Sequence, residues 1–214
     1  MTQNDQNWDA MEFPPKFDLS GRALCLDFAN TVSERKVPGR RGDLLDEYRD
    51  LLTFATQSLI IPVEKALELL AISRSEPRAT VRTMEDAREL REAIYRTFAA
   101  HVENRPCSTE DLTLIRNVVV ESWKHKRLIS IGGRFAWQTK REESTRLETV
   151  LWPMAWSASE LLTSERLERV RMCEGKDCAW LFLDRSRNRA RRWCNMTMCG
   201  NREKSRRRYQ RENM

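Results

Sequence analysis

The chain has 214 residues, 40% hydrophobic and 33% charged, with a formal net charge of +6. That length suits one medium domain with a smaller one beside it; no apolar run approaches the roughly 18 residues that span a bilayer, and the polar first ten residues lack the basic start of a secretory signal, so no membrane partner and a cytoplasmic location are expected. The charge is uneven: residues 164–214 hold 15 Lys and Arg against 7 Asp and Glu, while residues 1–163 hold 23 against 25, which points to a polyanion partner for the basic end.

Residues 1–16 read as a loose arm closed by Pro14-Pro15. In "SGRALCLDFANTV", Leu24, Phe28 and Val32 fall at helical spacing, while Leu24, Leu26 and Phe28 also alternate; a helix is the preferred reading. A charged loop with Gly and Pro, "SERKVPGRRGD", follows. Four helical segments come next. Asp43 is the expected cap of "LLDEYRDLLTFATQSLI", and Pro62 the expected first helical residue of "PVEKALELLAIS". "TMEDARELREAIYRTFAAHVEN" places Leu90, Ile94, Phe98 and His101 on one side, and Ser108 with Asp111 predicts a capping box for "TEDLTLIRNVVVESW". "RLISIGGRFAWQ" predicts a β-hairpin turning at Gly132-Gly133, with Leu128–Trp137 and Ser130–Phe135 on a shared face. In "TRLETVLWPMAWSASELL" the apolar positions Leu147, Val150, Leu151, Met154, Ala158 and Leu161 return to helical period, and Pro153 should kink or split that helix. The expected domain boundary lies near residues 163–166, giving a helical domain over 17–163 and a small domain over 164–214.

Cys173, Cys178, Cys194 and Cys199 form a C-x4-C-x15-C-x4-C pattern near the C-terminus. In a reducing compartment such pairs read as metal ligands before disulfides. Zn2+ takes four thiolates tetrahedrally at about 2.3 Å. A segment of about 45 residues is too short to bury a stabilising core unaided, and zinc binding to comparable units contributes on the order of 10–16 kcal/mol. Four unrelated buried cysteines are the plainer alternative; their clustering in one segment argues against it.

Between the pairs, "CAWLFLDRSRNRARRWC" begins as a strand, with Trp180 and Phe182 on one side and Leu181 and Leu183 on the other. With Trp193, these aromatics are expected to wall the metal site and seal it against the first domain. Residues 184–192 form a loop bearing Arg185, Arg187, Arg189, Arg191 and Arg192. Gly200 is the expected turn after the fourth cysteine and Asn201 the expected N-cap of "REKSRRRYQRE". On that helix Lys204, Arg207, Arg208 and Arg211 share one arc, and Arg202 and Arg206 form a second stripe beside Tyr209. Glu203 can pair with Arg207, and Arg208 with Glu212. The residues expected to meet nucleic acid are Arg185, Arg187, Arg191, Arg192, Arg202, Lys204, Arg207, Arg208 and Arg211. A helix fixed at its start by metal aims these charges at less ordering cost than a free peptide; a solvated charged helix is the alternative.

The run "RMCEGKDCAWLFLDRSRNRARRWCNMTMCGNREKSRRRY" closely resembles the CGNR zinc-finger family, whose tetrapeptide stands here as Cys199-Gly200-Asn201-Arg202. Upstream, "GRALCLDFANTV" resembles the start of the ABATE domain that precedes this finger in bacterial proteins. The resemblance implies a stress-response transcription regulator with Zn2+ held by the four cysteines, a DNA-binding finger and a ligand-sensing first domain. The expected fold class is mainly α with a small β-hairpin (α+β): a helical N-terminal domain followed by a small treble-clef-like zinc finger with four cysteine ligands.

In the first domain, Asp27 and Asn30 are polar residues among apolar ones, and with Arg22 they are the candidate ligand-binding residues, for a small molecule of unknown identity; satisfaction of backbone groups at an element end is the competing role. Arg40 and Arg41 are further candidate anion clamps. His101 reads as a core histidine and His125 as an exposed one; Cys25 and Cys107 read as small core residues. No G-x-x-x-x-G-K-[ST], G-x-S-x-G or H-E-x-x-H motif occurs, and no catalytic residues are expected. The leading expectation is a ligand-responsive DNA-binding regulator. Its rivals are an RNA-binding zinc protein, a thiol-zinc redox sensor and a small hydrolase in the first domain. A symmetric operator would require a homodimer.

Overall fold

The computed structural model describes residues 13, 16–37, 39–140 and 143–212, so the arm expected over residues 1–16 lies outside the described residues except for Phe13 and Lys16. Helix α1 (Leu24–Ala29) buries every residue but its first. It packs on α6 (Trp152–Leu162) and on α4 (Pro77–Val102). A short helix enclosed on all sides has no polar face, which is why its sequence shows two competing periods.

Helix α2 (Tyr48–Gln57) starts later than the sequence predicts. Glu47 and Asp50 form its capping box. Asp43 does not cap it; its carboxylate accepts from the Leu45 N–H at 2.9 Å and clamps the buried Arg91 at 2.6 and 2.7 Å. The pull of a buried guanidinium outweighs the local capping role. Pro62 is the N-cap of α3 (Val63–Ser75), one position outside the helix. Helix α4 begins six residues before Thr83, with Pro77 in its first turn. Its Leu90, Ile94 and Phe98 are fully buried, whereas His101, at its end, is only half-buried.

Ser108 caps α5 (Thr109–Lys124) by accepting from the Asp111 N–H at 3.2 Å. The Asp111 carboxylate instead takes the Arg96 guanidinium at 2.9 and 2.6 Å, so half of the expected box forms. The hairpin of β1 (Lys126–Ile131) and β2 (Arg134–Thr139) has the predicted register, Leu128 opposite Trp137 and Ser130 opposite Phe135. Gly132 and Gly133 turn it with φ of 56° and 78°. His125, expected to be exposed, is instead stacked on Trp152 with ring centroids 5.1 Å apart, between Glu121 and Glu143 at 3.2 Å each. Its covering ring comes from a distant helix that local sequence does not reveal. Residues 147–151 form a tight 3-10 turn that runs into α6, with Pro153 in the first turn of the α-helix, a position where proline is tolerated.

After α6, a 3-10 turn over residues 165–169 leads to β3 (Val170–Met172), which pairs antiparallel with β4 (Leu181–Leu183). β4 has two faces, as its alternation predicts. Leu181 and Leu183, with Val170, join the core of α1, α4 and α6, while Phe182 joins Cys173, Cys194, Trp180 and Trp193 in a second small cluster. The fold is mainly α with two small antiparallel hairpins, ending in α7 (Asn201–Glu212). No helix among the described residues is long and apolar enough to cross a membrane.

Candidate metal centre and nucleic-acid interface

The four cysteines of the C-terminal segment converge. Their sulfurs all lie within 4.8 Å of one another, and Cys194 Sγ is 3.6 Å from both Cys178 Sγ and Cys199 Sγ. Four thiolates on a tetrahedral ion at about 2.3 Å stand about 3.8 Å apart, so the donor set has the size Zn2+ requires. It is too open for a disulfide, and all six cysteines are free thiols. The thiols hydrogen-bond one another, which holds Cys173 far below and Cys194 far above the ordinary thiol value. A divalent cation allows all four to ionise together. With every ligand a thiolate, the coordination is closed and the metal's role is structural.

The surrounding shell is built for that set. Gly175 N–H points at Cys173 Sγ (3.4 Å) and Trp180 N–H at Cys178 Sγ (3.5 Å). Ala179, between them, takes a left-handed φ of 61°, which closes the first cysteine loop. A side chain at Gly175 would meet Cys178 Cβ at 3.2 Å and Cys199 Sγ at 3.4 Å. The first domain braces this loop: Lys36 Nζ donates to the carbonyls of Cys173 and Gly175 at 3.3 Å, the Trp180 indole donates to Val32 C=O at 2.8 Å, and the Tyr95 hydroxyl donates to Ala179 C=O at 3.2 Å. Sequence reasoning missed Lys36 and Tyr95 because their partners lie more than 80 positions away.

The basic helix begins on the metal ligands more directly than expected. Asn195, not Asn201, is the cap: its Oδ1 accepts from the N–H groups of Thr197 (2.9 Å) and Met198 (3.4 Å). Residues 196–200 form one wide helical turn that continues into α7, so Cys199 is itself helical and Asn201 has helical φ and ψ. Gly200 makes no turn. It is buried, and a side chain there would collide with Met196 Sδ and approach Trp193 Cδ1 at 3.2 Å.

The arginines fall into two groups. Arg191 is turned inward: its guanidinium lies 4.4 Å from the Phe182 ring centre and donates to the carbonyls of Trp193, Ser20 and Cys194. Arg192 pairs with Glu174, and Arg185 donates to Arg22 C=O at 2.8 Å. Arg187 is exposed. On α7, the buried Glu203 takes Arg206 closely and Arg207 at 3.7 Å, and Arg208 pairs with Glu212 at 2.7 Å, as the i,i+4 spacing predicts. Arg202, Lys204 and Arg211 are exposed and make no ion pair among the described residues. The loop is shaped by Asp184, fully buried, whose carboxylate accepts from the N–H groups of Ser186 (2.8 Å) and Arg191 (3.1 Å). The "LDRS" stretch carried that Asx-turn signal.

The candidate ligand residues lie where the two parts meet. Asn30 is engaged by Leu181 through both its amide groups. Asp27 is buried and accepts from Gly21 N–H at 2.7 Å; burial outweighs that bond and pushes its carboxyl up to about 7. Arg22 is exposed at a left-handed φ of 62°. The structure brings Arg22 and Asp27 to one cavity, without Asn30 among its lining residues. Arg40 and Arg41 face elsewhere, onto Glu34 and Arg35 C=O. Cys25 is enclosed in the core, its thiol pushed up to about 12 by burial, and Cys107 is half-buried against Thr97 C=O.

A short hairpin and a helix start that converge on four sulfurs, carried against a helical domain, define a tetrathiolate zinc finger with an attached, mainly helical partner. The chain belongs to the ABATE family, described as "Putative stress-induced transcription regulator", which it matches over residues 22–165, and residues 169–212 match the CGNR zinc finger. None of the curated proteins compared with it matches.

Proposed function

We propose that this chain is a zinc-dependent DNA-binding transcription regulator whose helical domain senses a small molecule or a stress signal. One observation carries the reading: α7, with six Lys and Arg among its twelve residues, grows without a break from a turn that contains the fourth sulfur ligand. Zinc bound there fixes the pose of the helix. The exposed Lys204, Arg207, Arg208 and Arg211, which share one arc of α7, with Arg187 from the loop, then form the phosphate-facing set; Arg202 lies on the other side of the helix, toward the finger. Arg191 is turned into the finger, while the exposed Arg192 and Arg185 are engaged by Glu174 and by Arg22 C=O. Phosphate contacts set affinity and position, not sequence preference. The reading includes no catalysis, since closed tetrathiolate coordination leaves no place for an activated water.

Competition at fixed salt tests it. Zinc-loaded protein bound to a labelled duplex is challenged with unlabelled duplex DNA, single-stranded DNA and structured RNA. Duplex DNA is expected to compete best; stronger competition by RNA contradicts the DNA reading.

A further inference from the structure

Three arginines from three separate segments line one cavity of about 310 Å3. Arg22 comes from the segment that enters α1, Arg166 from the turn after α6, and Arg185 from the arginine loop of the finger. None of the three makes an ion pair among the described residues. The same cavity is lined by Asp27 and Glu160, which are equally without an ion-pair partner there, and by Ser58, whose buried hydroxyl has no hydrogen-bond partner. Five ionisable groups that could have paired with one another, and do not, line a shared space. Cations outnumber carboxyls, and the volume lies at the small end of the roughly 300–1,000 Å3 typical of small-molecule sites.

We propose that this cavity binds a small organic anion that also carries hydrogen-bond donors, a hydroxy- or amino-substituted carboxylate or phosphate ester, and that the bound anion ties Arg185 of the finger to Arg22 and Arg166 of the helical domain. Guanidinium forks match carboxylate and phosphate oxygens in pairs of parallel hydrogen bonds. Asp27 and Glu160 accept from the hydroxyl or ammonium of the same molecule, which selects it over a bare inorganic anion. This deepens the sensing half of the proposed function, and rests on that reading only for its regulatory consequence. A docked finger supplies three guanidinium groups and a released one leaves two. That difference is the unequal affinity for two states that any ligand-driven shift requires. Arg185 also donates to Arg22 C=O at 2.8 Å, so the ligand acts on a joint that already exists.

The test is isothermal titration of the zinc-loaded full chain, without DNA, in a chloride buffer. The probes are glycerol 3-phosphate, L-glutamate and citrate, with glycerol as the uncharged control. At least one anion is expected to bind saturably at one site while glycerol does not. Its affinity should fall tenfold or more in both Arg166→Gln and Arg185→Gln and stay unchanged in Arg189→Gln, which alters an exposed arginine of the same loop outside the cavity lining. Arg166 is exposed, so its replacement does not threaten the fold. Absence of saturable binding by every anion, survival of binding in both variants, or an equal loss in Arg189→Gln overturns the proposal. With no nucleic acid present, failure here leaves duplex binding by α7 standing, and failure of duplex binding leaves this site standing.

Discussion

Asn30 and Leu181, 151 positions apart, are joined by two hydrogen bonds: the Asn30 amide donates to Leu181 C=O at 2.8 Å, and its Oδ1 accepts from Leu181 N–H at 2.9 Å. Two positions on, Leu183 N–H donates to Gly21 C=O at 2.8 Å. Strand β4 therefore has β3 along one edge and the two ends of the α1 region along the other. Asn195, the cap of the basic helix, also donates to Asp18 at 2.8 Å. Residues 18–30 thus fasten the finger to the helical core.

Asn30→Ala removes the partners of two buried backbone groups, the N–H and the C=O of Leu181. Each buried group left unsatisfied costs about 1–3 kcal/mol. The unfolding free energy of the zinc-loaded protein, from urea titration, should fall by about 2–4 kcal/mol with zinc still bound. A change below about 0.5 kcal/mol contradicts the fastening role.

Chelation should weaken more than the finger. Val170, Leu181 and Leu183 sit in the main core, and burial of each contributes about 1.5–3 kcal/mol. Stripping zinc, or Cys199→Ser, should abolish the helical signal of α7 and also lower the melting temperature of the remaining helices. Circular dichroism with metal analysis reads both. A helical domain that melts unchanged after zinc loss argues for two independent units.

Stability should carry the signature of Asp27. Its folded-state pKa is raised to about 7 from 3.8, chiefly by burial, with Asp18 opposing ionisation and Gly21 N–H and Arg191 favouring it. A raised carboxyl pKa means that folding favours the protonated acid. Its contribution is full below about pH 4, is lost as pH rises to about 7, and is constant above; its size is on the order of 4 kcal/mol. Asp27→Asn, neutral at every pH, should melt higher than the parent at pH 8 and close to it at pH 4. A gap that does not vary with pH would falsify the assignment.

Gly175→Ala tests the shell around the sulfurs. The added methyl meets Cys178 Cβ at 3.2 Å and Cys199 Sγ at 3.4 Å, atoms held by the metal and unable to give way cheaply. Zinc affinity, from competition with a chromophoric chelator, should drop about tenfold or more. Unaltered affinity would show that the loop adapts.

Local signals were legible in the sequence and distant partners were not. The cysteine spacing, the Gly132-Gly133 hairpin and the two faces of β4 rest on neighbours a few residues apart, and the structure has them as read. The errors share a cause. Asp43 looked like a cap but answers to Arg91, 48 positions on. His125 looked exposed but lies under Trp152. Gly200 looked like a turn residue, yet it is small because Met196 and Trp193 crowd it. Arg191 read as one more phosphate-facing cation, and the structure spends it on Phe182 and three carbonyls. In each case a contact made only on folding decides the role, and composition or periodicity carries no trace of it.

The central claim is that a metal-held α7 meets polyphosphate through one face. Its most direct test is the salt dependence of duplex binding, by fluorescence anisotropy, for the zinc-loaded parent and for a variant with Lys204, Arg207, Arg208 and Arg211 all changed to alanine. With about six phosphates neutralised, the parent's log–log slope should lie near −5, and the variant, still holding zinc, should bind more weakly with a slope flatter by about 3–4. Equal affinity and equal slope in the two proteins would contradict the claim.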